Sequence, residues 1–214
     1  MMLNLGRLDE LMEQAACVLD SLVLELPIAD IGGGDGDCAF FFESLGHPVH
    51  LIDHVPTNHN KLEGARALKD ELGSSVEIID LDIEQGLHLP APRYGLALLL
   101  GLLHRLKSPY RVLEELSQRS RYCFLSTRVA RFAPDGTRIG PLPVAYLLEE
   151  GEIENDPTNY WIFSPVGLRR LLRRTGWELV AKAFGGNDPS EPSNPDREAW
   201  AFMLLRSRSR SPWY

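Results

Sequence analysis

The sequence is poor in the residues that mark cross-linked, metal-bound or membrane-embedded proteins. Only 3 cysteines occur in 214 residues, and Cys17, Cys38 and Cys123 stand far apart in apolar surroundings. An odd, scattered set excludes a disulfide framework and a zinc cage. It suits small core residues in a reducing compartment. No cluster of His, Cys, Asp and Glu has metal-ligand spacing, so no metal site is expected. No apolar stretch reaches the ~18 residues that a membrane span requires; the longest, Leu96 to Leu103, has the length of a buried strand. The opening segment MMLNLGRLDELMEQ carries acids where a secretory signal has basic and then wholly apolar residues. A cytoplasmic protein without membrane contact is expected. Gly-x-Ser-x-Gly elbows and Walker loops are also missing. Positive charge is in deficit, with 22 Lys and Arg against 30 Asp and Glu and a formal net charge of −8. That balance disfavours nucleic acid as a partner, because phosphate backbones are held by clustered Lys and Arg.

What is present is an alternation of strand and helix patterns, the mark of a mostly parallel sheet covered on both faces. Leu8, Leu11, Met12, Ala15, Val18, Leu19 and Leu22 share one face of a helix expected over 7–23. PIADIG reads as a buried strand ending in glycines, followed by a helix over 37–45, the strand PVHLID, a helix over 58–72 and the strand SVEIID. LALLLG is apolar throughout, as a strand covered on both faces should be. Ser108-Pro109 is read as an N-cap and first-turn proline, opening a helix through Leu116. YCFLST is the next strand. Regularity then fails over 128–163, an insertion expected to act as a lid at the mouth of the sheet. Ser164-Pro165 opens another helix, stopped at Gly176, and WELVAKAF and EAWAFMLL close the pattern as an antiparallel pair. The reading is therefore a doubly wound α/β fold of seven strands with an antiparallel last strand, one domain over 1–206, and a frayed polar tail over 207–214.

The chemistry concentrates in Asp30-Ile31-Gly32-Gly33-Gly34-Asp35-Gly36-Asp37, between a strand and a helix. Glycines allow a tight turn and let a ligand approach the backbone, and the helix start offers free N–H groups. The bland alternative is a glycine-rich turn with no ligand. A dinucleotide fingerprint would need a third glycine where Asp37 stands, and a carboxylate there would repel pyrophosphate. The Gly-x-Gly-x-Gly spacing with Asp30 before it resembles the first motif of class I S-adenosylmethionine-dependent methyltransferases, a likeness that extends over roughly 26–127. The resemblance implies that Asp30, Gly32, Gly33, Gly34 and Gly36 lie under the cationic methionine end of S-adenosylmethionine. Asp53, with His54 beside it, stands where a ribose-binding acid belongs, about 20 residues past the loop. Asp82 and Ile83 match the family's adenine contact, and Leu100 and Gly101 end the strand that faces the sulfonium. Gly95 replaces the acid that usually opens that strand.

Downstream, LLLGLLHRLKSPYRVLEEL and NDPTNYW followed by SPVGLRRLLRRTGW resemble relatives of the tRNA wobble-uridine carboxymethyl-transferring enzymes. In that alignment His104 takes a tyrosine position and Arg105 a histidine position, so the family's role for that histidine does not carry over. Candidate catalytic residues are His104 as an acid–base group, Arg128 to orient an anionic acceptor and Tyr160 to line the acceptor pocket. Each also has an ordinary structural reading, as do Asn159 and Trp161. The arginines at 169, 170, 173 and 174 make a basic helix surface that is either solvated or a phosphate contact. The lid acids Glu149, Glu150, Glu152, Glu154 and Asp156 favour a small-molecule acceptor. The alternatives are an RNA-modifying enzyme acting on tRNA and a non-catalytic cofactor-binding protein.

Overall fold

The computed structural model describes residues 2–153 and 155–209. The chain runs α1 (Met2–Gln14), α2 (Leu19–Val23), β1 (Ile28–Ile31), α3 (Asp37–Ser44), β2 (Val49–Asp53), α4 (Glu63–Leu72), β3 (Glu77–Asp80) and β4 (Tyr94–Leu100). A 3-10 turn at Leu103–Arg105 leads to α5 (Pro109–Arg119), β5 (Ser120–Val129), β6 (Ala145–Leu147), β7 (Trp161–Phe163), α6 (Pro165–Arg174), β8 (Trp177–Gly186) and β9 (Ala199–Ser207).

Strands β3, β2, β1, β4 and β5 lie side by side and parallel. β9 then pairs antiparallel with β5 along its length, and β8 lies outside it. The strand order reverses between β1 and β4, which opens a crevice at the carboxyl ends of those two strands. One face of the sheet is covered by α5 and α6, over a cluster that includes Leu99, Leu125 and Trp177. Trp177 is buried with its indole N–H donated to the Leu113 carbonyl at 2.9 Å, so its ring adds apolar area without an orphaned donor. The other face packs α1 to α4 against Leu51, Leu96, Phe124 and Leu204. β4 is buried on both sides, which accounts for its unbroken apolar sequence. Gly95 on it faces the backbone of α2 so closely that an added Cβ would lie 2.1 Å from the Val23 carbonyl oxygen. An acid at that position has no room here.

Among the described residues the sheet has nine strands where seven were expected, because the insertion supplies β6 and β7. β5 runs past the end of β4, and its Val129 pairs there with Phe163 of β7. The β6–β7 ladder thus caps the open end of β4. Beneath it lies a separate small core of Ala130, Ile139, Leu148, Ile153 and Ile162. The helix expected over 7–23 is two helices: the chain turns at Ala16, whose φ is +50°, and Val18 is left exposed. The helix expected from 58 begins at Glu63 after a run of turns. Ser108 does not cap α5 with its side chain; its backbone N–H goes to the Glu84 carboxylate at 2.8 Å. Ser164 does cap α6, accepting the Gly167 N–H at 2.9 Å. The tail begins later than expected, since β9 continues to Ser207 and the Arg208 N–H reaches the Gly176 carbonyl. Residues 210–214 of the tail, and Glu154 of the lid acids, lie outside the described residues. No helix among the described residues is long and apolar enough to cross a membrane.

Candidate active site

The crevice is floored by the loop after β1. Gly32, Gly34 and Gly36 all have positive φ, which folds the loop back over the strand end. At Gly34 the space is open: a Cβ there would meet nothing within 4 Å, so the loop presents bare backbone to the crevice. At Gly33 the reverse holds, with a Cβ only 2.7 Å from Oδ2 of Asp30. Asp30 therefore sits directly under the loop. It is buried, its Oδ2 has no hydrogen-bond partner, and burial together with nearby Asp53 and Asp37 pushes its pKa up to about 7. An orphaned buried carboxylate beneath an open backbone surface suits a ligand that brings a positive charge. Asp35 and Asp37 do not join it. Asp35 is engaged by Asn60 and lies 3.7 Å from His59, and Asp37 is exposed on the first turn of α3.

Asp53 ends β2 and carries more than the sequence suggests. Its Oδ2 accepts from the Gly34 N–H at 3.0 Å and the Asn58 amide at 2.9 Å, and its Oδ1 accepts from the His54 N–H at 2.7 Å. The carboxylate tethers the glycine loop to β2, and Oδ1 retains a lone pair for a ligand hydroxyl. At the end of β3, Asp80 takes the Val55 N–H, and just beyond the strand Asp82 caps its own turn through the N–H of Glu84 at 2.9 Å. Ile83 is buried against the α5 face. An acid able to accept from an amine and an apolar neighbour are thus adjacent at this end of the crevice.

The other wall begins where β4 stops. The Gly101 N–H bonds to Ser126 of β5, through both the carbonyl at 2.9 Å and the hydroxyl at 3.0 Å, and Leu100 before it is half-buried. His104 follows in the 3-10 turn. It is buried, its Nδ1 lies 3.3 Å from the Thr127 hydroxyl, and its ring meets Trp200 edge-on at 5.6 Å. Burial, aided by Arg105 and Arg128, depresses its pKa to about 3, so the ring is neutral and a poor proton acceptor. Arg128 is buried and paired through Nε with Glu198 at 3.1 Å, so its charge is balanced within the protein. The insertion is pinned to this turn: the Tyr160 N–H donates to the His104 carbonyl at 2.9 Å, and Arg105 meets Asp156 at 2.7 Å. The Lys107 ammonium lies 5.7 Å from the Tyr160 ring. Asn159 is buried beside it, and Trp161 has a buried, unpartnered indole N–H.

A family model for the methyltransferase domain matches residues 11–182, a span that contains every element of this crevice except β9. The chain belongs to the methyltransferase-domain family. With its sheet order, that membership makes it a class I S-adenosylmethionine-dependent methyltransferase, and S-adenosylmethionine is the cofactor. The match is to the broad domain and does not single out the tRNA wobble-uridine relatives. No curated protein matches the sequence. Among solved structures the fold resembles the N-terminal domain of EvdMO1 with S-adenosylhomocysteine bound, at a TM-score of 0.62 and 16% identity over 92% of this chain and 80% of that one. It also resembles a 1,6-didemethyltoxoflavin N1-methyltransferase from Burkholderia thailandensis, at 0.59 and 20% identity over 92% and 77%. A third is an S-adenosylmethionine-dependent methyltransferase from Mesorhizobium loti, at 0.60 and 16% identity over 85% and 90%.

The candidate cofactor-binding and catalytic residues named from the sequence all lie at the carboxyl end of the sheet, whereas Arg169, Arg170, Arg173 and Arg174 lie on α6. Three neighbours were not singled out: Trp200, Thr127 and Asn58. The alternation in EAWAFMLL sets Trp200 and Phe202 on one face, a signal available in the sequence. Nothing in the turns after His54 gives Asn58 away.

Proposed function

We propose that the enzyme transfers the methyl group of S-adenosylmethionine to a small-molecule acceptor held beneath the 128–163 insertion, which serves as a lid over one catalytic domain. In this reading the backbone of Gly32–Gly36 carries the methionine end of the cofactor, with the Asp30 carboxyl beneath it, where a bound cation would favour its ionised form. Asp53 and His54 border the ribose, Asp82 and Ile83 the adenine, and Leu100 and Gly101 the sulfonium. The orphaned oxygen of Asp30 and the open space at Gly34 support this fit. When bound, the cofactor supplies a methyl group that is electrophilic without further activation. The protein's work is then alignment and exclusion of water. Neutral His104 holds its turn through Thr127 and Trp200, and the Arg128–Glu198 pair fixes the end of β5.

The observation that carries the small-molecule reading is the pinning of the insertion to the His104 turn by Tyr160 and Asp156. That pinning sets the insertion against the carboxyl end of β4, and exposed Glu149 and Glu150 on the same insertion oppose a phosphate backbone. One similar structure, the N1-methyltransferase, holds 1,6-didemethyltoxoflavin, which agrees with an acceptor of that size. Three free cysteines agree with a cytoplasmic setting. Titration with bulk tRNA at low and moderate salt tests the proposal, and no saturable binding is expected. Tight binding that weakens steeply with salt, and that is lost when Arg170 and Arg174 are both changed to glutamate, would establish an RNA acceptor instead.

A further inference from the structure

The insertion has a second side. Between residues 131–141, the start of α6 and the edge strand β8 lies a groove of about 790 Å³, within the size range of small-molecule sites. It shares no lining residue with the glycine loop. β8 is also three strand positions from β4, on the order of 14 Å across the sheet at ~4.8 Å per strand.

Four cations line the groove, Arg131, Arg138, Arg169 and Lys182, against a single acid, Asp188. None of the four forms an ion pair among the described residues, although the chain carries a surplus of acids. Unneutralised cations brought together from three segments, residues 131–141, α6 and β8, repel one another, so packing alone does not account for the cluster. Between them the surface is apolar: Leu179 and Met203 line the floor from the sheet, and the Phe184 ring carries the Arg131 guanidinium at 5.2 Å. That stacking leaves the planar edge of the guanidinium free to donate. The wall is well fixed, because the Arg131 and Phe132 N–H groups both donate to the carbonyl of buried Ser190 at 2.9 Å.

We infer that this groove is a second ligand site, for a small molecule that joins a phosphate group to an apolar or aromatic body. The cations supply charge-assisted donors for the phosphate, and the sheet floor takes the body. A bare anion would use only the rim, and a polynucleotide would leave the apolar floor unfilled.

Calorimetry of the full chain with phenyl phosphate tests the assignment, with inorganic phosphate, phenol and bulk tRNA titrated in parallel. Phenyl phosphate is expected to saturate at one site and to bind about tenfold or more tighter than inorganic phosphate or phenol, a difference of ~1.4 kcal/mol. Arg138→Glu with Lys182→Glu, both exposed positions, should abolish that binding while leaving the affinity for S-adenosylhomocysteine and the thermal melt unchanged. The inference is overturned if phenyl phosphate fails to bind at millimolar concentration, binds no better than inorganic phosphate, or is insensitive to the double substitution. Competition with S-adenosylhomocysteine would assign the phosphate to the glycine loop, and tRNA binding lost in the same variant would assign the groove to a polyanion. The methyltransferase reading is tested separately by the S-adenosylhomocysteine titration, and neither result depends on the other.

Discussion

Two carboxylates under the glycine loop do different work because their surroundings differ. Asp53 accepts three donors, one of them the Gly34 N–H, so it shapes the loop and, in the function proposed above, also borders the ribose. Asp53→Ala should therefore weaken S-adenosylmethionine binding by more than one lost hydroxyl contact, at least about 1–3 kcal/mol by calorimetry. A change of a few tenths would remove Asp53 from the site. Asp30 has no donor on its Oδ2 and titrates near pH 7 instead of near 3.8. The folded protein thus holds a proton that the unfolded chain releases. Asp30 contributes stability below pH ~4 that is lost as pH rises to ~7, about 1.4 kcal/mol for each pH step of one between those values and so roughly 4 kcal/mol in all. Denaturant melts from pH 4.5 to 7.5 should show this decline, and Asp30→Asn should flatten it. A wild-type curve no steeper than that of the variant would mean that Asp30 ionises normally. The loop glycines and Asp53 stand out in the sequence by spacing, and Asp30 through the resemblance of the loop to the family's first motif. The tether from Asp53 to Gly34 does not, because it depends on how far the loop folds back.

At the level of elements, legibility followed burial. β1 and β4 are covered on both faces and read as short apolar runs; α6 announces itself by its Ser-Pro start and its leucines. β6 and β7 have three residues each, too few for an alternation to register, and lie among prolines and glycines. Their existence is set by the exposed end of β5, which offers unpaired backbone groups to Trp161–Phe163. Arg128 stood out in the sequence but its ion pair did not, because its partner Glu198 lies across an antiparallel register that no local pattern encodes. The insertion joins the sheet through a single register pair and holds a small core of its own, although its Phe163 is buried in the main core; the lid proposed above requires it to open without unfolding β5. Amide exchange over 145–163 should be faster than in β4 and should slow when S-adenosylhomocysteine and an acceptor are both bound. Exchange as slow as that of β4 in the free enzyme would make the insertion a fixed wall.

Across the whole molecule, the site and the core are the same object. The glycine loop runs on from β1 and is tied twice to β2, by the Gly32 N–H donated to the Ile52 carbonyl and by the Gly34 N–H donated to Asp53, and both strands lie within the buried sheet. A ligand that bridges the ends of β1, β2, β3 and β4 therefore ties together the strands that must separate on global unfolding. Its binding energy should appear in the main transition, with no separate local event. At a concentration one hundred times its dissociation constant, S-adenosylhomocysteine should add about 2.7 kcal/mol to the folded state. For a chain of this size that corresponds to a rise in Tm of roughly 5–10 °C. NAD at the same concentration should give no rise, because Asp37 occupies the place where a pyrophosphate site requires glycine. Differential scanning calorimetry with each compound separates the cases. A rise with NAD and none with S-adenosylhomocysteine would reverse the cofactor assignment. A rise confined to a separate low-temperature transition would show that the crevice unfolds apart from the sheet.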